Sequence, residues 1–487
     1  MKNTYINPPF RPESGRISRE QRSPAITKSG TFYYPMWLSY AAGFLENRRH
    51  RVQLLDAPAC GLSLSQVIQE VRSFGPELLV LSTSTPSIRN DSRIAGQLKT
   101  LLPDSFVALV GVHVSAMPHE ALNLNRQIDA VVVGEYEQTL AELAESLEAG
   151  QPLVGVAGLV YRSSDDDMVL TPVRKVMENL DSIPWVSRTY RKHLNYRNYF
   201  YSGNRYPVVV FVTSRGCPNK CNFCVYPQTI TGRKYRTRSV TDAVDEMEFI
   251  IREFSPLGEI MFEDDTFNVS KSRTIRFAEE ILRRGLKVRW SCNARPDLDL
   301  ETMIIMSKAG CRSLLVGFET GSQAVLNGMR KNSSVQHYTK FMSDTKKAGL
   351  LVNGTFMVGT PNETKQTMRE TLALAKSLNP DVAQFFPVMI YPGTELYEMY
   401  SKKGYLITDN FDNWLNENGL HNCVVNLPGL KAKEMVEFCD GCRRRFYLRP
   451  SYLSYKLWQS LRYPAEALRT LKAVRIFAKH LFLGTRL

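Results

Sequence analysis

Short apolar runs alternate with helix-length stretches along most of this chain, in two separate blocks. An alternation of this kind predicts a parallel sheet with helices on both of its faces. The strands predicted in the first block are residues 4–6, 52–54, 78–82, 106–110 and 130–133, and the predicted helices include 63–74, 92–101 and 138–148. We therefore expect a doubly wound α/β domain over residues 1–150.

The second block begins at Val208, after a connector that we place at residues 151–206 and in which 168–170 is predicted to be a hairpin strand. Its six predicted strands are residues 208–213, 259–263, 287–291, 313–317, 352–358 and 384–390. In a barrel of such strand-helix units the functional residues lie at the carboxyl ends of the strands. We place this domain at residues 207–410 and a basic, helical C-terminal region at 411–487.

Three cysteines follow the first strand of the second block. Cys217, Cys221 and Cys224 have the spacing C-x3-C-x2-C, and Phe223 precedes the last of them. A [4Fe–4S] cluster normally takes four thiolates, so a loop with three leaves one iron open to another ligand. Free thiols or a zinc site are the alternatives, but zinc wants a fourth Cys or His and none lies between residues 211 and 236.

The cysteine loop closely resembles that of the radical S-adenosylmethionine (radical SAM) enzymes, in which the open iron chelates the amino and carboxylate groups of SAM. The resemblance implies a partial (β/α)6 barrel over the second block. It also implies that a 5′-deoxyadenosyl radical abstracts hydrogen from unactivated carbon, and that Phe223 lies along the adenine of SAM.

The predicted second barrel strand ends in three acids, where the radical SAM family binds the SAM amino group. Strand alternation places Glu263 and Asp265 on one face and Asp264 on the other. The pattern does not decide which acid meets the ammonium.

Later strand ends also resemble the family. Arg295 suits the SAM carboxylate, and Glu319 suits the ribose hydroxyls or an arginine partner. Asn362 replaces a usual glycine, and Asn tolerates the left-handed conformation that the turn needs. Taken singly, each charged residue fits an ordinary salt bridge at the barrel mouth equally well.

Doubly wound sheets bind ligands beyond the carboxyl ends of their strands. The corresponding loops of the first block resemble a cobalamin-binding domain, which implies cofactor contacts by Asp56, Ser82, Gly111, Gly134 and Glu135. The loop at 56–61 keeps the outline of a D-x-H-x-x-G signature, but Pro58 stands where a histidine would ligate cobalt, so cobalamin would bind without that ligand. A domain that serves only as a scaffold remains the alternative, and His113 fits a loop residue better than a cobalt ligand.

The resemblance covers about residues 1–450 and is closest to the cobalamin-domain radical SAM group that includes hopanoid-modifying enzymes and the anaerobic magnesium-protoporphyrin ester cyclase. It implies an enzyme with a [4Fe–4S] cluster, SAM and cobalamin, and an electron donor such as flavodoxin or ferredoxin. Methylation with cobalamin and ring formation or carbon–carbon bond rearrangement both stay open.

The aromatic segment 31–37 and the segment 446–450 resemble the hopanoid-associated members. We therefore expect an apolar, isoprenoid-lipid substrate, with a soluble natural product, a tetrapyrrole or a peptide as alternatives. A non-catalytic iron–sulfur redox sensor is an alternative of another class, against which Glu263, Arg295 and Glu319 count.

The location of the chain follows from its apolar segments and cysteines. No apolar run approaches the roughly 20 residues of a transmembrane helix, and the first ten residues lack the apolar core of a signal peptide. Nine cysteines without a disulfide framework suit a reducing compartment. We expect a cytoplasmic protein.

The basic charge is concentrated at the C-terminus, where residues 443–487 hold eleven Lys and Arg against one acid. An apolar stripe (Leu457, Leu461, Leu468, Leu471, Val474 and Leu481) lies beside a basic stripe (Arg462, Arg469, Lys472, Arg475 and Lys479). This pattern indicates peripheral contact with an anionic membrane. A helix packed on the barrel is the alternative, and no nucleic acid is expected.

Three further cysteines lie near the C-terminus. Cys423, Cys439 and Cys442 fit packed thiols better than a second cluster.

Overall fold

The computed structural model of the chain describes residues 1–11, 15–464, 466–467 and 469–471. The strands are β1 Lys2–Asn7, β2 Arg51–Asp56, β3 Leu78–Thr83, β4 Phe106–Gly111, β5 Ala130–Val132, β6 Leu159–Arg162, β7 Met168–Leu170, β8 Val208–Phe211, β9 Ser214–Arg215, β10 Arg236–Thr237, β11 Glu259–Phe262, β12 Trp290–Ala294, β13 Cys311–Glu319, β14 Leu351–Val358 and β15 Val382–Pro387.

The helices of the first half are α1 Met36–Asn47, α2 Ala57–Cys60, α3 Leu64–Phe74, α4 Ile88–Leu101, α5 Val112–Ala116, α6 Pro118–Asn123, α7 Glu137–Glu148 and α8 Val186–His193. Those of the second half are α9 Val225–Thr229, α10 Val240–Glu253, α11 Lys271–Arg283, α12 Leu300–Lys308, α13 Gln323–Gly328, α14 Val335–Lys347, α15 Lys365–Leu378, α16 Glu395–Lys402, α17 Ala432–Tyr447 and α18 Pro450–Arg462.

The first sheet has the strand order β2-β1-β3-β4-β5-β6-β7. Its first five strands are parallel, as the sequence predicts, and β6 and β7 add an antiparallel edge that continues the sheet to Leu170. Because the order reverses at β1, the ligand crevice expected of a doubly wound sheet lies beyond the carboxyl ends of β1 and β3.

The second sheet has six parallel strands in the order β15-β14-β13-β12-β11-β8, which confirms the partial barrel. Its third strand begins at Trp290 instead of the predicted Lys287. The reason is burial: Lys287 and Arg289 are exposed, whereas Trp290, Ser291 and Cys292 are fully buried.

The two sheets share one continuous hydrophobic core. Helix α1 contacts both α7 and α8, and its Trp37 meets the ring of Tyr226 edge-on at 6.1 Å. Just before α1, Tyr34 donates a hydrogen bond to the carbonyl of Val208 and stacks on Tyr199 with ring centroids 3.8 Å apart. The N-terminal segment is therefore built into the barrel.

The C-terminal region packs on the barrel with the polar face of α18 turned inward. Lys456 and Gln459 are buried beside Asp381, whereas Leu457 and Leu461 are 65% and 78% exposed. Beyond α18, Glu466 pairs with Arg312. The predicted apolar stripe thus faces outward at Leu457, Leu461 and Leu471. The other members of the stripe, Leu468, Val474 and Leu481, lie outside the described residues, as do the basic residues Lys472, Arg475 and Lys479.

Among the described residues, no helix is both long and apolar enough to cross a bilayer.

Candidate active site

The cysteine loop leaves the barrel through a two-stranded ribbon, β9 and β10, directly after β8. Cys221 is buried, and Cys217 and Cys224 are partly buried. Gly216 begins the loop with φ of +83°, and a Cβ atom there would lie 2.1 Å from the carbonyl oxygen of Lys234. The ribbon can close only with glycine at this position.

The far side of the cysteine loop is tied to the end of α13. The amide N–H of Asn222 donates to the carbonyl of Met329 at 3.1 Å, and its side chain donates to Gly328 at 2.9 Å. The side chain of Gln228 reaches back to the carbonyl of Cys224 at 2.8 Å. These bonds hold the segment that carries Cys221 and Cys224 in place.

The three acids after β11 have two different environments, as strand alternation predicts. Asp264 is fully buried and accepts hydrogen bonds from the backbone and hydroxyl of Thr213 and from Ser214, at 2.6 to 2.7 Å. Burial raises the pKa of Asp264. Its hydrogen bonds make it a structural group that anchors the start of the cysteine loop.

Glu263 and Asp265 face the cysteines instead. Glu263 accepts a hydrogen bond from Asn293 on β12 at 3.1 Å, and Asp265 accepts one from the amide of Gly216 at 3.1 Å. Both carboxylates also meet the guanidinium of Arg22 at 3.5 Å. Arg22 is thus a shared partner of both carboxylates beside the cysteine loop.

Arg295 and Glu319 have partners within the chain. Arg295 donates to the carbonyls of Lys331 and Asn332 at 3.1 and 2.6 Å. Glu319 pairs with Lys331 at 2.6 Å in a buried position. Glu319 also has φ of +66°, a conformation that a non-glycine residue adopts at a cost and that is frequent at functional sites.

The charges around the thiols suit an anionic group. Burial raises the pKa of Cys221 and of Cys224, the latter to about 12, whereas Lys331 and Arg295 beside Cys221 and Arg22 beside Cys224 lower them. Three thiolates with three cations next to them fit a [4Fe–4S] cluster, since iron holds the sulfur ligands deprotonated. Phe223, within the cysteine loop, is partly buried. Within the described ranges, no group of three His, Cys, Asp or Glu side chains is placed to hold a single metal ion.

Several predicted residues lie at the carboxyl edge of the first sheet. The hydroxyl of Ser82 donates to Glu20 at 3.0 Å, and the amide of Gly134 donates to Ser115 at 3.1 Å. Gly111 has φ of +124°, and a Cβ atom there would lie 2.4 Å from the carbonyl of Thr83. Small residues at this edge fit the approach of a large cofactor, while residues 18–25 of the same chain cross over it.

Asp56 and Glu135 have partners that give them structural roles. Asp56 is buried, accepts from Asn7 and Tyr199 at 2.8 Å each, and burial raises its pKa to about 6. It ends β2, one strand away from the crevice, and Pro58 lies in the first turn of α2. Glu135 pairs with Arg236 of β10 at 2.7 Å. Asp56 thus connects β2 to β1 and to Tyr199, and Glu135 connects the first domain to β10.

His113 lies on α5 and is fully buried. Its Nδ1 is 3.3 Å from the hydroxyl of Thr85, and its ring meets Phe411 edge-on at 4.9 Å. Burial lowers its pKa to about 3, so the imidazole is neutral, and Nε2 has no hydrogen-bond partner in the part of the chain that the structure describes.

Cys423, Cys439 and Cys442 are buried thiols. Burial raises the pKa of Cys423 to about 11 and that of Cys442 to about 12, and raises that of Cys439. They are neutral side chains in the core, with Cys439 and Cys442 on α17 itself.

The sequence analysis missed three residues at the site, and two of them, Arg22 and Lys331, have no signal in the sequence. Arg22, Asn293 and Lys331 reach the predicted acids from a loop, a strand and the turn after α13. Asn293 belongs to the strand end that also carries Arg295, so its position was the one signal available.

Two family models match the chain. The model of the radical SAM superfamily matches residues 211–375, and the model of the B12 binding domain matches residues 22–144.

Relatives align over most of the chain. An uncharacterized methyltransferase of Pyrococcus horikoshii is 30% identical over 87% of this chain and 90% of its own. The anaerobic magnesium-protoporphyrin IX monomethyl ester cyclase of Rubrivivax gelatinosus is 27% identical over 86% of this chain and 75% of its own. The hopanoid C-3 methylase of Methylococcus capsulatus is 23% identical over 76% of this chain and 69% of its own.

The fold is shared with a solved structure of the radical SAM methyltransferase TsrM from Kitasatospora setae. The two superpose with a TM-score of 0.71 at 18% identity, over 91% of this chain and 88% of that one.

Proposed function

Because the chain belongs to the radical SAM superfamily, in the group that carries a B12-binding domain, we propose that it modifies a carbon centre of an apolar, isoprenoid-lipid metabolite. The chain is an enzyme, and its cofactors are a [4Fe–4S] cluster, SAM and cobalamin. The reaction that we favour is methylation, with ring formation or carbon–carbon bond rearrangement as the second candidate.

The observation that carries this proposal is the placement of Cys217, Cys221 and Cys224 beside Glu263 and Asp265 at the carboxyl ends of the barrel strands. When bound, the cluster and SAM supply a carbon radical that abstracts hydrogen, and cobalamin supplies a methyl group. We assign the thiolates to hold the cluster. We assign the carboxylates of Glu263 and Asp265 to accept hydrogen bonds from the SAM ammonium.

Other residues orient the site. Asn293 holds the Glu263 carboxylate through a 3.1 Å hydrogen bond, and the buried Lys331 fixes Glu319 at the end of β13. The first domain covers the barrel mouth, with Arg215 and Arg236 of the ribbon paired to its Glu137 and Glu135. A covered mouth excludes water, which protects a reactive carbon radical.

An apolar substrate is supported by the relatives. Two of them are named for a hopanoid and a magnesium-protoporphyrin ester, both large ring systems with extensive apolar surface. The cyclase relative is the specific reason to keep a tetrapyrrole and ring formation as the second candidate.

We also propose that the enzyme contacts a membrane through the outer face of α18. This face exposes Leu453, Leu457, Trp458 and Leu461, and Arg462 lies over the ring of Trp458 at 5.6 Å. Apolar side chains and a tryptophan next to basic residues suit the interface of an anionic bilayer. Because α18 packs beside Asp381, before β15, this contact lies at the opposite end of the barrel from the cysteines. It would concentrate the enzyme near a lipid substrate without placing the barrel mouth on the membrane.

We propose flavodoxin or ferredoxin as the electron donor, because the [4Fe–4S] cluster needs an electron to cleave SAM.

The substrate proposal is tested with SAM that carries a 13C-methyl group. Reconstituted enzyme with cobalamin and reductant is incubated with total membrane lipids or with the soluble metabolite fraction, and the products are followed by mass spectrometry. We expect the label in an isoprenoid lipid, and none with Cys221→Ala. Label confined to the soluble fraction would contradict the lipid substrate, and an unlabelled product with changed ring count would favour the second candidate.

A further inference from the structure

Residues 18–25, here called the strap, form a turn that is closed by a bridge between Ser18 and Ala25 and that lies between the first sheet and the cysteine loop. We propose that the strap couples the two cofactor sites: cobalamin displaces it from the crevice, which withdraws Arg22 from Glu263 and Asp265 and raises the affinity for SAM. The inference rests on the proposed function, because it requires that one chain binds both cofactors.

One end of the strap is anchored in the first domain. Arg19 forms a two-bonded pair with Asp91, at 2.7 and 3.0 Å, and both side chains are fully buried. Glu20 caps the first turn of α1, where its carboxylate accepts from the amides of Trp37 and Leu38 at 2.7 and 3.2 Å. These contacts keep the strap over the sheet edge.

The carboxylate of Glu20 lies in the ligand crevice of the sheet. It accepts from Ser82 at the end of β3 at 3.0 Å, and from Tyr136 at 3.3 Å. The cavity beside it, lined by Glu20, Trp37, Gly111 and Tyr226 among others, has a volume of only about 10 Å³. That is room for about one water molecule. A corrin ring can enter only if the lining of this cavity moves, and the strap contributes Arg19 and Glu20 to that lining.

The other side of the strap reaches the SAM site. Only Gln21 separates Glu20 from Arg22, so a displacement of Glu20 moves the guanidinium as well. Arg22 meets Glu263 and Asp265 at 3.5 Å each, and its side chain is 35% exposed. Long, partly solvated ion pairs are weak. Arg22 also donates to the carbonyl of Asp264 at 3.1 Å and lies over the ring of Tyr226 at 5.6 Å, so leaving the acids costs these contacts as well. While Arg22 is there, it competes with a ligand ammonium.

The strap is held again beyond Arg22. The hydroxyl of Ser23 is 2.9 Å from His421, and the amide of Ile26 donates to the carbonyl of Gly419 at 2.9 Å. Because these contacts are made to the C-terminal region and not to either cofactor site, they can stay while residues 20–22 move. The moving part is then the three residues between the Arg19 anchor and Ser23.

A shared strap makes the two binding events reciprocal: if cobalamin raises the affinity for SAM, then SAM raises the affinity for cobalamin by the same factor. Couplings between two sites are typically about 5- to 150-fold.

The test uses full-length, cluster-loaded protein under anaerobic conditions, without a reductant, so that SAM is bound and not consumed. The SAM dissociation constant is measured by equilibrium dialysis with and without hydroxocobalamin, and retained cobalamin is measured separately from its absorbance after gel filtration. For wild type we expect cobalamin to tighten SAM binding about tenfold. Arg22→Met should bind SAM tightly in both conditions.

Arg16→Met is the matched control. Arg16 is exposed and donates to the carbonyl of Asn198 at 3.0 Å, outside both sites, so this variant should keep the wild-type coupling. Retained cobalamin without any change in SAM affinity would overturn the strap inference alone. Arg22→Met protein that binds SAM more weakly than wild type would also overturn it, because Arg22 would then assist SAM. Wild-type protein that retains no cobalamin would overturn the cobalamin part of the proposed function together with the coupling.

Discussion

The guanidinium of Arg215 lies 2.6 Å from the carboxylate of Glu137, and both side chains are almost completely buried. Arg215 directly precedes Gly216 of the cysteine loop, whereas Glu137 begins α7 of the first domain. The same guanidinium lies over the ring of Trp37 at 4.7 Å. A buried charge pair therefore sets the position of the cysteine loop relative to the first domain.

Arg215→Met should destabilise the protein strongly. The change leaves the Glu137 carboxylate buried without its main partner, and breaking a buried pair in this way costs about 3–5 kcal/mol. The urea midpoint of the cluster-free protein measures the effect. Lys234→Met is the control, since it removes an exposed pair with Glu178 and should leave the midpoint almost unchanged. Equal midpoints for the two variants would contradict the structural role of Arg215.

Glu263→Gln and Asp264→Asn should have different effects although the residues are neighbours. Glu263→Gln should lower SAM affinity about tenfold or more with little change in the urea midpoint, because a charged hydrogen bond of about 1.5–3 kcal/mol is lost at the ligand. Asp264→Asn should lower the midpoint, since its amide cannot accept all the bonds from Thr213 and Ser214. If Asp264→Asn keeps full stability and loses SAM binding, the assignment of the two acids is wrong.

Gly216→Ala should prevent cluster loading. The added Cβ atom would lie 2.1 Å from the carbonyl oxygen of Lys234, so the ribbon below the cysteines must open. Iron and sulfide per chain after reconstitution measure the effect. Gly404→Ala is matched for backbone strain, with φ of +69° and no atom within 4 Å of the new Cβ, and should load a normal cluster. Normal iron content in Gly216→Ala would refute this explanation.

Burial of Glu20 makes stability depend on pH. Desolvation raises its pKa from 4.5 to about 7, although hydrogen bonds from Leu38, Ser82, Trp37 and Tyr136 oppose the rise. An acid whose pKa is raised on folding stabilises the fold below its unfolded pKa, and this contribution is lost as pH rises through the folded pKa.

As the pH rises from about 5 to 8, the free energy of unfolding of wild type should therefore fall by about 2–3 kcal/mol more than that of Glu20→Gln. Urea midpoints of the cluster-free proteins across this range provide the measurement. Parallel pH profiles of wild type and the variant would show that Glu20 is not titrating in the folded protein.

The sequence was sufficient to predict the features that depend on local patterns. Both parallel sheets follow from apolar runs, and the cysteine loop follows from its spacing. The separation of Asp264 from Glu263 and Asp265 follows from the alternation of side chains in a strand. The left-handed Asn362, with φ of +67°, was also predicted from residue type.

Features that depend on distant partners were missed. Arg22 reaches Asp265 across more than 240 residues of chain, and a single arginine in a loop has no pattern to reveal this. The apolar stripe of α18 predicted contact with a membrane, and a helix packed on the barrel was the alternative. Which face docks on the barrel is determined by polar partners far away, since Lys456 and Gln459 meet Asp381.

The production of 5′-deoxyadenosine is the most direct test of radical SAM chemistry at the cysteine loop. Reconstituted protein with SAM, cobalamin and a strong reductant is assayed for 5′-deoxyadenosine and S-adenosylhomocysteine together by mass spectrometry. We expect 5′-deoxyadenosine from wild type and none from Cys221→Ala, with S-adenosylhomocysteine alongside it if the reaction is methylation. A fully loaded cluster that yields neither product, with candidate lipids and tetrapyrroles present, would contradict the proposed chemistry.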